Sequence, residues 1–347
     1  MAGLVGVLLF FYPDGLTMEL YPVVFLFATL SGCGVATFSV GTTQVSYWFP
    51  EDRQGFAQAV YAGLGNSSPG FSTLILPVAL VALGLTGAYL VWFALLLVGT
   101  IIYAFTASDA YYFQLREEGT SQEPAREQAG ELGQEVFPSG NTIEGFKSAA
   151  TTGSTWLLVA LYFTSFGGFL ALTTWLPTYW SAFHGLDVRT AGVVTAVAFV
   201  LLATFIRIPG GSVSDRIGGE TTALVSFAVI LGGAGLVVLA NGFVLALVAT
   251  ILLAAGMGVA NAAVFGMVPE YVSDAVGSVS GLIGGLGAFG GFVVPPVLGA
   301  FVGRFGAEGY AYGFVIYVVL AAISIAATLG LARQNGRTVL ANISPSS

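Results

Sequence analysis

The chain has 347 residues, of which 56% are hydrophobic and only 8% are charged, and its net charge is −8. A soluble domain carries about 25% charged residues, so this composition excludes an ordinary water-facing surface. The acidic balance also excludes nucleic-acid binding, which needs a basic face.

Apolar runs long enough to cross about 30 Å of hydrocarbon, at roughly 20 residues each, recur along the sequence. Backbone polar groups in lipid must be satisfied internally, and the runs are continuous rather than alternating, so the expected fold class is an all-α polytopic membrane protein. Ten runs are predicted, at 1–12, 19–48, 55–78, 84–107, 154–176, 188–213, 219–240, 242–266, 275–302 and 309–332. The first is too short to span before Tyr12-Pro13-Asp14-Gly15 and lacks the basic flank of a signal peptide. It reads as the tail of a helix that begins upstream. The second run carries Phe38 at mid-span and Cys33, the only cysteine, which leaves no disulfide framework and reads as a small packing residue.

Next comes Phe49-Pro50-Glu51, then a span that carries Ala62-Gly63-Leu64-Gly65-Asn66-Ser67-Ser68-Pro69. Asn66 is informative there, because a buried amide needs a partner and a polar solute could supply it. From 108 to 153 the composition changes to glutamates among Gly, Ser and Gln, as expected of an acidic solvated loop. The chain thus divides into an N-terminal bundle at 1–107, that loop, a C-terminal six-helix bundle at 154–333 and a tail at 334–347. In the first span of the second bundle, Tyr162 and Phe166 share a face one turn apart. His184, the only histidine, falls in an outer loop near Asp187 and reads as solvated.

Arg207, in Phe205-Ile206-Arg207-Ile208-Pro209-Gly210-Gly211, is the one charged residue well inside a predicted span. An arginine at a helix centre costs about 2.5 to 3.5 kcal/mol, which asks for a compensating role. A guanidinium fork suits a planar oxyanion. The competing reading is snorkelling towards Ser214-Asp215-Arg216, about two turns away. Further on, Gly277, Gly281, Gly284, Gly287 and Gly291 recur every three or four residues, a stripe that permits close helix packing and, beside a cavity, close approach of a ligand. No Asp, Glu or His lies deep in a predicted span, which disfavours proton coupling through an internal carboxylate. No cluster exists for metal binding or acid–base work, so neither enzyme activity nor a cofactor is expected.

Two features concern the whole chain. Of the basic residues outside the spans, Arg53, Arg116, Arg126, Lys147, Arg216, Arg333 and Arg337 fall on one side and Arg189 and Arg304 on the other. The first side is therefore assigned to the cytoplasm, with both termini. A repeat appears at an offset of 219: Pro50-Glu51 matches Pro269-Glu270, Gly65 matches Gly284, and Pro77 matches Pro296. Two similar halves in a transporter frame a central site.

Phe49-Pro50-Glu51 with Ala62-Gly63-Leu64-Gly65-Asn66, and the glycine stripe from Gly281 to Pro296, resemble the paired Gly-rich motifs of the nitrate/nitrite porter family of the major facilitator superfamily. Arg207 through Asp215-Arg216-Ile217-Gly218-Gly219 is similar to the superfamily's general loop motif. The resemblance implies a two-bundle fold and a cell-membrane carrier exchanging nitrate for nitrite by alternating access, within nitrogen metabolism. It implies a substrate site of Arg207, Asn66, Tyr162, Phe38 and Phe166 with Gly63, Gly65, Gly284 and Gly285. A monomer in the lipid bilayer is expected. Ser67-Ser68-Pro69 departs from the family's usual small-residue continuation. Family members have twelve spans, and this chain resembles spans three to twelve, without the first two. The family's second arginine then falls at 207 − 219 = −12, before Met1. A carrier of another small anion and a nontransporting remnant are the alternatives.

Overall fold

The structure, a computed structural model, describes residues 17–50, 53–65, 67–135, 137, 142–240, 242–272 and 276–334, and all regular elements among them are helices. The first predicted span, at 1–12, lies outside the described residues. Helix α1 (Tyr21–Trp48) follows one 3₁₀ turn, and α2 (Gln54–Gly65) and α3 (Ser68–Thr106) come next. In α3 the chain bends at Gly84, whose φ of 68° is open to glycine and strained for other residues, and this bend separates the predicted third and fourth spans. The predicted acidic loop holds α4 (Tyr111–Glu117), α5 (Gln122–Glu131) and α6 (Thr142–Thr151). Tyr112, Ala125 and Ala129 form a small core between α4 and α5, and Tyr47 and Trp48 at the end of α1 pack on Phe113 and Tyr111.

After α6 come α7 (Gly153–Tyr162), a π turn (Phe163–Gly167) and α8 (Gly168–Ala182), which together make one span. A second span is built alike from α9 (Val188–Thr195), a π turn (Ala196–Leu201) and α10 (Leu202–Ile217). Then follow α11 (Gly219–Leu239), α12 (Phe243–Tyr271), α13 (Val276–Ala288), α14 (Gly290–Phe305), the one-turn α15 (Gly309–Tyr312) and α16 (Val315–Gln334). Among the described residues, seven helices are long and apolar enough to cross a membrane. The chain is a multi-pass membrane protein.

Glycine sets how closely these helices approach. A Cβ on Gly167 in the first π turn would stand 2.7 Å from the Gly290 Cα, and one on Gly258 of α12 would stand 2.6 Å from Ile206 on α10. Wide turns of this kind concentrate at functional sites. The first is pinned from outside its own helix. Ser324 donates to Thr164 Oγ1 at 2.8 Å, and the Tyr317 hydroxyl donates to the Gly168 carbonyl at 3.1 Å.

Candidate functional site

Arg207 sits one turn and a half into α10, on a face that also buries Ala203, Thr204, Gly210 and Gly211. Its side chain is only 2% exposed, so the guanidinium stays inside the protein rather than reaching toward Ser214-Asp215-Arg216 at the end of its helix. The guanidinium carbon lies 5.9 Å from the centre of the Phe265 ring on α12. Phe265 in turn meets Tyr162 edge to face at 4.8 Å, and Tyr162 stacks on Phe166 at 4.9 Å. The Tyr162 hydroxyl is within electrostatic reach of Arg207. Three helices therefore converge, with Tyr162 at the end of α7, Phe166 in the π turn, Arg207 on α10 and Phe265 on α12.

The hydrogen-bonding inventory of this cluster is incomplete. Arg207 Nε and Nη1 and the Tyr162 hydroxyl are buried without a partner, and so is Oδ1 of Asn261 on α12. A cation over an aromatic face contributes about 2 kcal/mol at best. Each unsatisfied buried donor costs about 1 to 3 kcal/mol, and two of them together exceed what the ring returns. The ring contact with Phe265 is too small to offset the sum. Buried donors on a cation that have no acceptor of their own are the groups that a small anion satisfies. Among the described residues no group of three or more His, Cys, Asp or Glu could hold a metal.

The other sequence-predicted site residues fall as follows. Gly63 is buried against α10, where a Cβ would stand 3.2 Å from Ile208 Cγ1 and 3.5 Å from the Thr204 carbonyl, bracketing the position of Arg207. That contact brings the first Gly-rich motif to the arginine's helix. Gly284 is buried in α13, whereas Gly65 and Gly285 are exposed, with open space where a Cβ would project. Asn66 lies outside the described residues. Phe38 is in α1, and its side chain likewise lies outside the description. Gly287, from the same stripe, packs on Tyr162, with 2.7 Å between a Cβ there and the ring.

Sequence reasoning missed Phe265 and Asn261. Asn261 carried a signal, being a carboxamide within the apolar run 242–266. Phe265 carried none, since 27 phenylalanines give no means of choosing among them. A cavity of about 610 Å³ near the end of α1, lined by Thr43, Gln44, Tyr47, Asp109 and Arg116 among others, shares no residue with this cluster. Its charged groups are solvated, and it offers no buried donor awaiting a ligand.

The model of the Major Facilitator Superfamily matches residues 1–295 and 184–341. A probable nitrate/nitrite antiporter of Thermus thermophilus is 28% identical over 309 residues, covering 80% of this chain and 64% of that protein. A probable nitrate/nitrite transporter of Mycobacterium tuberculosis is 29% identical over 324 residues, covering 92% of this chain and 75% of that one. A nitrite extrusion protein of Bacillus subtilis is 27% identical, with 82% and 65% covered. The chain thus spans about two thirds of the length of several curated relatives. A bacterial homologue of the human lysosomal transporter Spinster, in an inward-facing conformation, superposes with a TM-score of 0.51 at 14% identity, over 88% of this chain and 75% of that one.

Proposed function

Because the chain belongs to the major facilitator superfamily, we propose that it carries nitrate and nitrite across the membrane, exchanging one for the other at the Arg207 site. The observation that carries this reading is the Arg207 guanidinium, buried with Nε and Nη1 lacking a hydrogen-bond acceptor, beside the buried Tyr162 hydroxyl with which it interacts. Nitrate and nitrite are planar and small, and they accept hydrogen bonds at two oxygens with the spacing that a guanidinium fork offers. The relatives named for nitrate and nitrite agree with that chemistry.

Exchange follows from the charge left behind. In a low-dielectric interior an unpaired cation is disfavoured, and a bound anion neutralises it while satisfying its donors. The loaded carrier then passes between inward and outward states more readily than the empty one. Alternating access between the two halves has a contact to work through, since α2 meets α10 at Gly63. The Tyr162 hydroxyl orients the anion, and Phe166 and Phe265 exclude water around it.

The reading is tested with the protein reconstituted in liposomes. Uptake of labelled nitrate is expected to require nitrite or nitrate inside, and each anion should displace the other while acetate and oxalate do not. Equal uptake into liposomes with no internal anion contradicts exchange. Displacement by acetate or oxalate at similar concentrations contradicts the substrate assignment.

A further inference from the structure

We propose that Asn261 is a further substrate-contacting residue, which brings α12 to the anion site and presents its carboxamide to the bound oxyanion. The inference rests on the nitrate reading of the Arg207 site. Asn261 is 4% exposed, and its Oδ1 has no hydrogen-bond partner. In an apolar span such a group is unfavourable, and a leucine, which shares its branching at Cγ, would leave no unmet polar atom there. An unmet carbonyl oxygen calls for a donor, and the same carboxamide turned over offers its NH₂ to an acceptor.

Its neighbours on α12 show which way it faces. Met257, Asn261 and Phe265 are four residues apart and lie in one stripe on the helix. At one end of the stripe, Met257 Cε would come within 3.2 Å of a Cβ on Gly168 at the start of α8. At the other, Phe265 meets both Tyr162 and Arg207. Asn261 is therefore bracketed by residues that touch Gly168 on one side of the π turn and Tyr162 on the other, and its stripe is the one that carries Phe265 to Arg207. A carboxamide can turn its NH₂ toward an oxyanion, or its carbonyl toward the guanidinium when the site is empty. A carboxylate of the same shape has only acceptors and would pair with Arg207 in the anion's place.

The test measures nitrate binding to the purified protein calorimetrically, together with the melting temperature with and without nitrate. Loss of one hydrogen bond to a charged ligand predicts that Asn261→Leu binds nitrate about ten- to a hundredfold more weakly. Without nitrate its melting temperature should be unchanged or raised, because an unmet polar group has gone, and the shift produced by nitrate should shrink. Asn261→Asp should lose binding altogether at neutral pH. Asn261→Ala serves if the leucine variant does not fold. Wild-type affinity in the leucine or alanine variant overturns the inference while leaving the nitrate reading intact. A wild-type protein that binds no nitrate removes that reading and the inference together.

Discussion

Two spans of this protein present opposite surfaces. Among the described residues, Gly153–Ala182 is 67% buried over its most apolar stretch, and Val78–Thr106 only 6%, although the second is the more apolar of the two. In water the order would be reversed, because apolar area is what gets buried. In lipid, apolar side chains gain little by leaving one hydrocarbon for another, and helices associate through small residues and polar contacts. The buried span accordingly holds Gly167, Gly168, Thr164 and Ser165 at its packed crossing, while the other shows Leu95, Leu96, Val98, Ile101 and Ile102 on its surface. Apolarity marks where this chain crosses the membrane, and small or polar residues mark what it crosses against.

That contrast can be broken by substitution. The largest effect is expected from Gly167→Ala, whose Cβ would press into backbone at Gly290 and Gly287 and cost about 1 to 3 kcal/mol as overpacking. The same change at Gly99, in the exposed span and with no atom within 4 Å, should fall within about 0.5 kcal/mol of the parent. Melting of the two variants in detergent compares them, and equal losses would undo the distinction.

A smaller effect sharpens the C-terminal end of the buried span. His184 lies against Tyr179, Trp180 and Phe183, and its Nε2 shares a hydrogen bond of 3.0 Å with the Tyr179 hydroxyl. Burial pushes its pKa below the ordinary 6.5, so the folded protein holds fewer protons here than the unfolded chain. Its contribution is complete above pH 6.5 and declines as pH falls below that value. The melting temperature should drop slightly between pH 7.5 and 5.5, and His184→Gln should flatten this part of the profile. An unchanged profile in the variant would show that the imidazole is as solvated as the sequence suggested.

The fold class was legible because lipid demands long continuous runs, and seven helices among the described residues are long and apolar enough to cross a membrane, although the run read at 55–78 is divided between α2 and α3. Arg207 was legible for the same reason, being a charge where apolar residues are required. The helical hairpin at Tyr111–Glu131 was not, since its core of Tyr112, Ala125 and Ala129 is too small to leave a periodic mark in an acidic segment. Nor were the π turns, because Phe163–Gly167 and Ala196–Leu201 have no composition that separates them from α-helix. Only neighbours such as Tyr317 and Ser324, more than a hundred residues away in sequence, fix the first of them. Phe265 stayed hidden because cation–π packing depends on which aromatic ring the fold brings to the guanidinium, and spacing along the chain is silent on that.

The most direct test of this account is nitrate binding by Arg207→Ala and Arg207→Lys beside the wild type, in one calorimetric series. Two lost hydrogen bonds to a charged ligand predict at least a hundredfold weaker binding for the alanine variant. Lysine keeps the charge without the fork and should fall between. Wild-type affinity in the alanine variant would contradict the claim that this buried guanidinium holds the anion.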